Sequence, residues 1–355
     1  MSKIKVGIIG TGGISHVHMA GYKRLSGKAE VVALCDINEK RMNEYSRQYN
    51  VPNCYLDFNE MLEKEKLDAV SVCTWNNAHA PATIAALNAG VDVLCEKPMA
   101  MNTAEALLME KAAADNNKIL MIGFVRRYGN DTAIIKDFIK NDYMGDIYYA
   151  KATYLRRNGC PGGWFGDSKY SGGGPLIDLG VHVIDLARYL AGCPQPVSAY
   201  GVTFDNLGVN RAKGGAAQYE TDTSASIQFK HDVEDFATAL VRFDNGFVLS
   251  VEASFNLNVK HDIGTIELYG TKAGIKIDAG LEFYSDMNGH FINMQPSGNS
   301  SLSFEGLFEG EVAHFVDCVT ERKESLSPAR DGVAVMKILD AIYESARTGA
   351  EVKIK

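Results

Sequence analysis

Four side chains with chemistry to offer, Asp178, His182, Asp185 and Tyr189, lie in the stretch GGGPLIDLGVHVIDLARYL, Gly172 to Leu190. At about 100° per residue they share one narrow helical stripe. Leu176, Ile177, Leu179, Val181, Val183, Ile184, Leu186, Ala187 and Leu190 cover the rest of the surface. So apolar a helix is buried, and buried ionisable groups are unfavourable unless they are paired or put to use. The seam of Asp178, His182 and Asp185 is therefore a candidate site, against the alternative of a satisfied network that only fixes the helix. Lys97, in CEKPM (Cys95 to Met99), is the second candidate. Pro98 limits where it points, and a held ammonium polarises a substrate oxygen and stabilises charge developing there. The alternative is a surface lysine paired with Glu96.

The third candidate site binds rather than reacts. KIKVGIIGTGGISHVH runs from a strand through Gly10, Gly12 and Gly13 into a helix near Ile14. In a dinucleotide fold the first glycine permits a tight turn and the second lets a pyrophosphate approach the backbone at the helix N-terminus. Ser15 stands at the third fingerprint position, so context must carry the motif. It does: the next strand, AEVVALCD, ends at Asp36, where an acid accepts from the adenosine ribose hydroxyls and repels the extra phosphate of NADP. NAD is the expected cofactor, NADP the less favoured one. Capping of the following helix is the other reading of Asp36.

These residues need elements to hold them. Strands over Lys3–Ile9, Ala29–Asp36, Ala69–Thr74, Asp92–Cys95 and Ile119–Gly123 alternate with helices from about Glu39, Pro81 and Thr103. Continuous apolar strands separated by helices make a doubly wound parallel sheet, whose ligands bind beyond the carboxyl ends of its strands. That places Thr74, Trp75, Asn76 and His79 of TWNNAH, with Glu96 and Lys97, at the cofactor; His16 and His18 read as capping or packing groups. After Gly123 the pattern changes to a helix, about Thr132 to Asn141, and a strand in DIYYAKATYL. Asn158 to Gly174 then holds seven glycines with Trp164 and Phe165, a loop suited to a pocket wall where a sugar stacks on Trp164. Strands follow over Ala199–Phe204, Ser224–Phe229, Phe236–Phe243, Phe247–Ser254, Gly264–Tyr269 and Ala273–Ile277, then helices over Phe308–Glu321 and Pro328–Arg347. The expected architecture is α/β: residues 1–123 form a Rossmann domain and 124–355 an α+β domain with a large, mostly antiparallel open-faced sheet. The C-terminal helices are able to pack back on the first domain. An open sheet face invites self-association as a homodimer or homotetramer.

Composition narrows the partners. The 355 residues carry a net charge of −8 with no basic run, which argues against nucleic acid and anionic membranes. No apolar stretch approaches the roughly 20 residues that span a bilayer, and no signal-peptide pattern precedes the first strand. Seven scattered cysteines read as reduced core thiols in a cytoplasmic protein. No metal is expected, although the spacing of Asp178, His182 and Asp185 would allow one.

GIIGTGGIS, CTWNNAH, AGVDVLCEKPMA, GFVRRY, GGGPLIDLGVHVIDLARYL and ILDAIYESARTGAEVKI, in this order, resemble the Gfo/Idh/MocA family, which includes glucose-fructose oxidoreductase and inositol dehydrogenase. The resemblance covers nearly the whole chain. It implies a Rossmann domain followed by an open-faced sheet used for oligomerisation, and a catalytic set of Lys97, Asp178 and His182. Trp75 departs from the proline usual in the family's T-P-N motif. The implied activity is NAD-dependent oxidation of a secondary hydroxyl of a sugar, polyol or inositol. His182 would be the base, Lys97 would polarise the oxygen, and Asp178 would orient or bind the substrate. Arg127 would grip the substrate or form an interdomain salt bridge. The alternatives are an NAD-retaining glycosidase or epimerase that oxidises transiently, and a non-catalytic NAD-binding regulator.

Overall fold

The computed structural model describes residues 3–208, 229–278, 280–297 and 304–355. All but the last residue of the strand expected over Ser224–Phe229 lies outside them. The chain forms two compact units, Met1–Val125 with Phe304–Val333, and Arg126–Ser303 with Ala334–Lys355.

In the first unit six parallel strands, β1 (Ile4–Ile9), β2 (Ala29–Cys35), β3 (Asn53–Tyr55), β4 (Ala69–Val72), β5 (Asp92–Glu96) and β6 (Leu120–Gly123), lie in the order β3-β2-β1-β4-β5-β6. This is the doubly wound sheet expected. Every residue of β4, β5 and β6 is buried, because helices cover both faces of such a sheet. Two elements went unanticipated, β3 and the helix Phe58–Lys64, whose half-exposed sequences carry no strong apolar period. The helix placed from Pro81 starts earlier, at Asn76, and encloses the proline. The helix Phe304–Glu321 packs against Ser15–Arg24 within this unit, and Val312 would meet any side chain placed at Gly21.

The second unit is built on nine strands: β7 (Ile147–Leu155), β8 (Pro196–Phe204), β9 (Phe236–Phe243), β10 (Val248–Ser254), β11 (Ile263–Gly270), β12 (Ala273–Ile277), β13 (Leu281–Met287), β14 (His290–Met294) and β15 (Val352–Lys353). Their order is β14-β13-β12-β11-β7-β10-β9-β8-β15, antiparallel except where β7 meets β10. One face buries Ala150, Ala152, Ala237, Ala239, Leu249, Val251 and Ala253. These small residues let the helical stretch Leu176–Leu190 lie close: Gly180 approaches the Ala253 methyl. Tyr200 and Leu240, paired across β8 and β9, are exposed on the other side. Among the described residues no helix is long and apolar enough to cross a membrane.

Candidate functional site

At the end of β1, Gly10 has φ +92°, and a Cβ there would lie 2.5 Å from the Cys73 carbonyl oxygen, so only glycine fits. Nothing lies within 4 Å of where side chains at Gly12 and Gly13 would be. The backbone is thus bare in front of the helix Ser15–Arg24, where the positive end of the helix dipole suits a phosphate. Ser15, the departure from the glycine fingerprint, donates its hydroxyl to the Gly12 carbonyl at 2.6 Å and tightens the turn. Ile14 is half-buried at the helix entry. The turn therefore fits the pyrophosphate of a dinucleotide.

Asp36 is more occupied than a bare strand-end acid. Its carboxylate accepts from Thr11 N (2.7 Å), Thr11 Oγ1 (2.8 Å) and Asn38 N (2.8 Å), and both oxygens accept from Arg41 Nη2 at 2.9 Å. Five contacts fill the roughly four lone-pair directions of a carboxylate. Ribose hydroxyls would have to displace the Arg41 guanidinium, whose charge also offsets the repulsion between Asp36 and the extra phosphate of NADP. Capping of the next helix falls to Asn38, which accepts from Arg41 N.

Beyond β4 and β5 lie the other cofactor candidates. Thr74, Trp75 and Lys97 are half-buried, Asn76 is buried, and the Lys97–Pro98 bond is cis. His79 is placed differently from the expectation of a cofactor contact. Its ring is buried, with Nδ1 2.7 Å from the Pro98 carbonyl oxygen and Nε2 3.1 Å from that of Thr74, so it braces the two loops from within. Burial lowers its pKa. Glu96 is likewise internal: Oε1 meets His18 Nε2 at 2.8 Å and Oε2 accepts from Lys97 N at 3.1 Å.

In the second unit the glycine run before Pro175 has a steric cause. A Cβ at Gly174 would lie 2.4 Å from the Glu234 carbonyl oxygen. The Glu234 carboxylate accepts from Gly174 N (2.9 Å), Leu176 N (3.1 Å) and the Tyr343 hydroxyl (2.9 Å), tying down the start of the helix. Burial raises its pKa, and these three bonds work against the shift. The helix does not begin as the regular α-helix expected. Leu176–Gly180 is a π-helical turn, in which Val181 N reaches back to Leu176 O, and the α-helix runs over Val181–Leu190. Wide turns of this kind often occur at functional sites. Asp178 sits in the π turn at 8% exposure, and His182 follows in the first α turn, half-buried.

The lower half of the polar stripe is consumed. Asp185 takes a bidentate pair from Arg127, Nε to Oδ2 at 2.9 Å and Nη2 to Oδ1 at 2.6 Å, and the guanidinium lies 4.5 Å from the centre of the Tyr189 ring. Arg127 is therefore occupied by a carboxylate of its own unit. Trp164 is half-buried and stacks on Phe165 at 3.9 Å, in a loop that contains two short helical turns. Cys160, which sequence reasoning passed over, lies near Asp178: burial raises its thiol pKa, and Asp178 and Asp235 raise it further. Thr11 and Glu234 gave no signal, because each acts through partners distant in sequence, 25 positions away for Thr11 and about 60 for Glu234.

A family model described as an oxidoreductase family, NAD-binding Rossmann fold, matches residues 4–124. A second, the C-terminal alpha/beta domain of that oxidoreductase family, matches residues 136–354. D-glucoside 3-dehydrogenase of Escherichia coli is 31% identical over 355 residues, 99% of this chain and 98% of that one. Levoglucosan dehydrogenase of Pseudarthrobacter phenanthrenivorans is 29% identical over 98% and 97%. A solved levoglucosan dehydrogenase in complex with NADH superposes with a TM-score of 0.87, each chain fully covered at 24% identity.

Proposed function

The chain belongs to the Gfo/Idh/MocA oxidoreductases and carries their NAD-binding Rossmann fold, and from that premise we propose that it oxidises a secondary hydroxyl of a sugar, polyol or inositol, or reduces the matching ketone. The observation that carries this reading is Asp178 in a π turn with His182 in the α turn that follows, on an otherwise buried helix, while the next acid, Asp185, is neutralised by Arg127. NAD, when bound, accepts hydride from the carbinol carbon. His182 takes the hydroxyl proton as that carbon is oxidised and returns it in reduction. Lys97 donates from its ammonium to the same oxygen and stabilises negative charge there. Asp178 orients His182 or accepts from a neighbouring substrate hydroxyl, and Trp164 offers a ring on which a sugar stacks. Gly10, Gly12, Gly13 and Ile14 hold the pyrophosphate, and Thr74, Trp75 and Asn76 flank the nicotinamide end. The similarity to a D-glucoside dehydrogenase and a levoglucosan dehydrogenase favours a pyranoside substrate.

Residues 1–123 bind the cofactor and 124–355 the substrate. The apolar sheet face at Tyr200 and Leu240 joins copies into a homodimer or homotetramer, which light scattering tests directly; a folded monomer at micromolar concentration refutes it. With an NAD partner and its cysteines free, the enzyme works in the reducing cytoplasm. The deciding assay offers methyl glucosides, levoglucosan and inositols with NAD and with NADP and follows absorbance of the reduced cofactor. Turnover of at least one, abolished in His182→Ala, is expected. Full turnover in that variant refutes the assignment.

A further inference from the structure

Within the first unit three titratable side chains meet out of contact with water. His18, on the helix Ser15–Arg24, is 0% exposed, Glu96 at the end of β5 is 6% exposed by side chain, and Glu311, on the helix Phe304–Glu321, is 0% exposed. One donor atom from each lies within 4.8 Å of the other two. His18 Nδ1 meets Ser71 Oγ at 3.2 Å, and Ser71 Oγ meets the Tyr22 hydroxyl at 2.8 Å. Neither oxygen of Glu311 has a hydrogen-bond partner.

Two carboxylates and one imidazole cannot all be balanced as ions, because at most one negative charge is matched by a protonated His18. A buried carboxylate with no donor neutralises itself instead of staying charged. Burial, and then the charge of Glu96, push the Glu311 carboxyl well above the usual range, and Cys73 and Tyr22, which also face it, are raised themselves. A divalent cation would be the other way to balance the charges. However, ligands on a tetrahedral ion with bonds of about 2.0–2.1 Å stand about 3.3 Å apart, whereas His18 Nε2 and Glu96 Oε1 are 2.8 Å apart, a hydrogen-bond distance. The set is built around protons.

Its outlet is Glu96 Oε2, which accepts from the backbone N–H of Lys97. β6 closes the far flank of this carboxylate: a Cβ at Gly123 would lie 3.3 Å from Oε2. We propose that Glu96 is a positioning residue for Lys97, its other oxygen held by His18 and its buried setting walled by the Glu311 side chain. This deepens the reading in which Lys97 touches the substrate oxygen and rests on it. A displacement of about 1 Å at a reacting group lowers rate about 10²-fold, and Glu96 removes that freedom from the backbone that launches the ammonium.

The test uses the full chain, NAD and the sugar found in the panel. Glu96→Gln keeps the shape but must turn its amide NH₂ towards either His18 or the Lys97 N–H. It is expected to lower kcat about 10- to 100-fold with KM for NAD within about threefold, and to speed hydrogen exchange in the peptide holding Lys97. His18→Leu has the same effects, whereas His18→Gln, which can donate to Glu96, rescues both; this pair carries the question if Glu96→Gln does not fold. Glu311→Gln, a neutral isostere of the acid, leaves kcat and exchange unchanged. Wild-type kcat and exchange in Glu96→Gln or His18→Leu, with Lys97→Met inactive, overturns the positioning role. Damage in Glu311→Gln equal to that in Glu96→Gln, or one tightly held divalent metal per chain in the purified protein, overturns the neutral acid. Full activity in Lys97→Met is a different failure, one that removes the catalytic lysine and this proposal with it.

Discussion

Arg127 and Asp185 allow a structural role to be separated from a substrate-binding one by measurement. Their side chains are 0% and 2% exposed. Two charge-assisted bonds of 2.9 and 2.6 Å join them, and Tyr189 lies against the guanidinium. Arg127→Met leaves Asp185 as a buried carboxylate without its cation, a change that costs about 3–5 kcal/mol. Against a total stability of about 5–15 kcal/mol that is a large share. Asp185→Leu should cost a similar amount by stranding the guanidinium. The double variant strands neither charge and should recover most of the loss, since a buried ion pair is worth little more than a well-packed apolar pair. The chain has two tryptophans, Trp75 and Trp164, and only Trp164 belongs to the second unit, so a Trp75→Phe background reports unfolding of that unit by fluorescence in urea. Single variants should shift the midpoint at unchanged m, and the double variant should keep the substrate KM within about threefold of wild type. Singles within about 1 kcal/mol of wild type would refute the stability argument. A large rise in KM in a stable double variant would return Arg127 to the substrate.

Other outcomes follow from the same geometry. His182→Ala should lower kcat about 10²- to 10⁴-fold, the usual contribution of a general base, with NADH binding, followed by its fluorescence, unaltered. Glu234 has its carboxyl raised by burial, so the native state holds that proton more tightly than the unfolded chain. Its stabilisation is full below the unfolded carboxyl range and is lost as pH rises through the folded value. Wild type should therefore lose stability relative to Glu234→Gln as pH rises from 4 to 8, read from their urea midpoints, and a wild type that gains on the variant would contradict the buried acid. Arg41→Ala strips the cation from Asp36 and should sharpen preference for NAD over NADP by about tenfold, or about 1.4 kcal/mol; equal or greater use of NADP would show that Arg41 does not offset Asp36.

The strand–glycine–helix opening and the parallel sheet were legible because continuous apolar strands and the turn at Gly10 are local signals. The stripe from Asp178 to Tyr189 was legible for the same reason, with periodicity placing four polar residues on one face. Periodicity did not reveal the π turn at Leu176–Gly180, because a widened turn leaves no mark in a pattern read at fixed pitch. Nor did it show that Asp185 is consumed by Arg127, 58 positions earlier in sequence. Asp36 was found at the right strand end, yet its saturation by Thr11 and Arg41 depends on rotamers, and His79 was put on the cofactor because its loop is there, while its ring turns inward. β13, β14 and β15 were missed: β14 and β15 have no buried residue, and β15 is two residues long.

The residues proposed for chemistry share a device that sequence patterns do not display. Asp36 accepts the Thr11 N–H in the glycine turn, Glu96 accepts the Lys97 N–H, and Glu234 accepts the Gly174 and Leu176 N–H groups ahead of Asp178. Each candidate lies where the chain leaves a strand or enters a helix, and there backbone donors have no regular partner and cannot be buried unpaired. A carboxylate meets such donors directly, two at once at Asp36 and at Glu234 and one at Glu96, and charge-assisted bonds to it are about twice as strong as neutral ones. An apolar contact would bury these turns as well but would not fix their direction. Each of these acids is buried at considerable desolvation penalty, and the gain is orientation of the adjoining backbone. Replacement by the amide should for that reason affect turnover more than folding at Glu96 and the start of the π turn more than the rest of the unit at Glu234, a difference that hydrogen exchange resolves peptide by peptide.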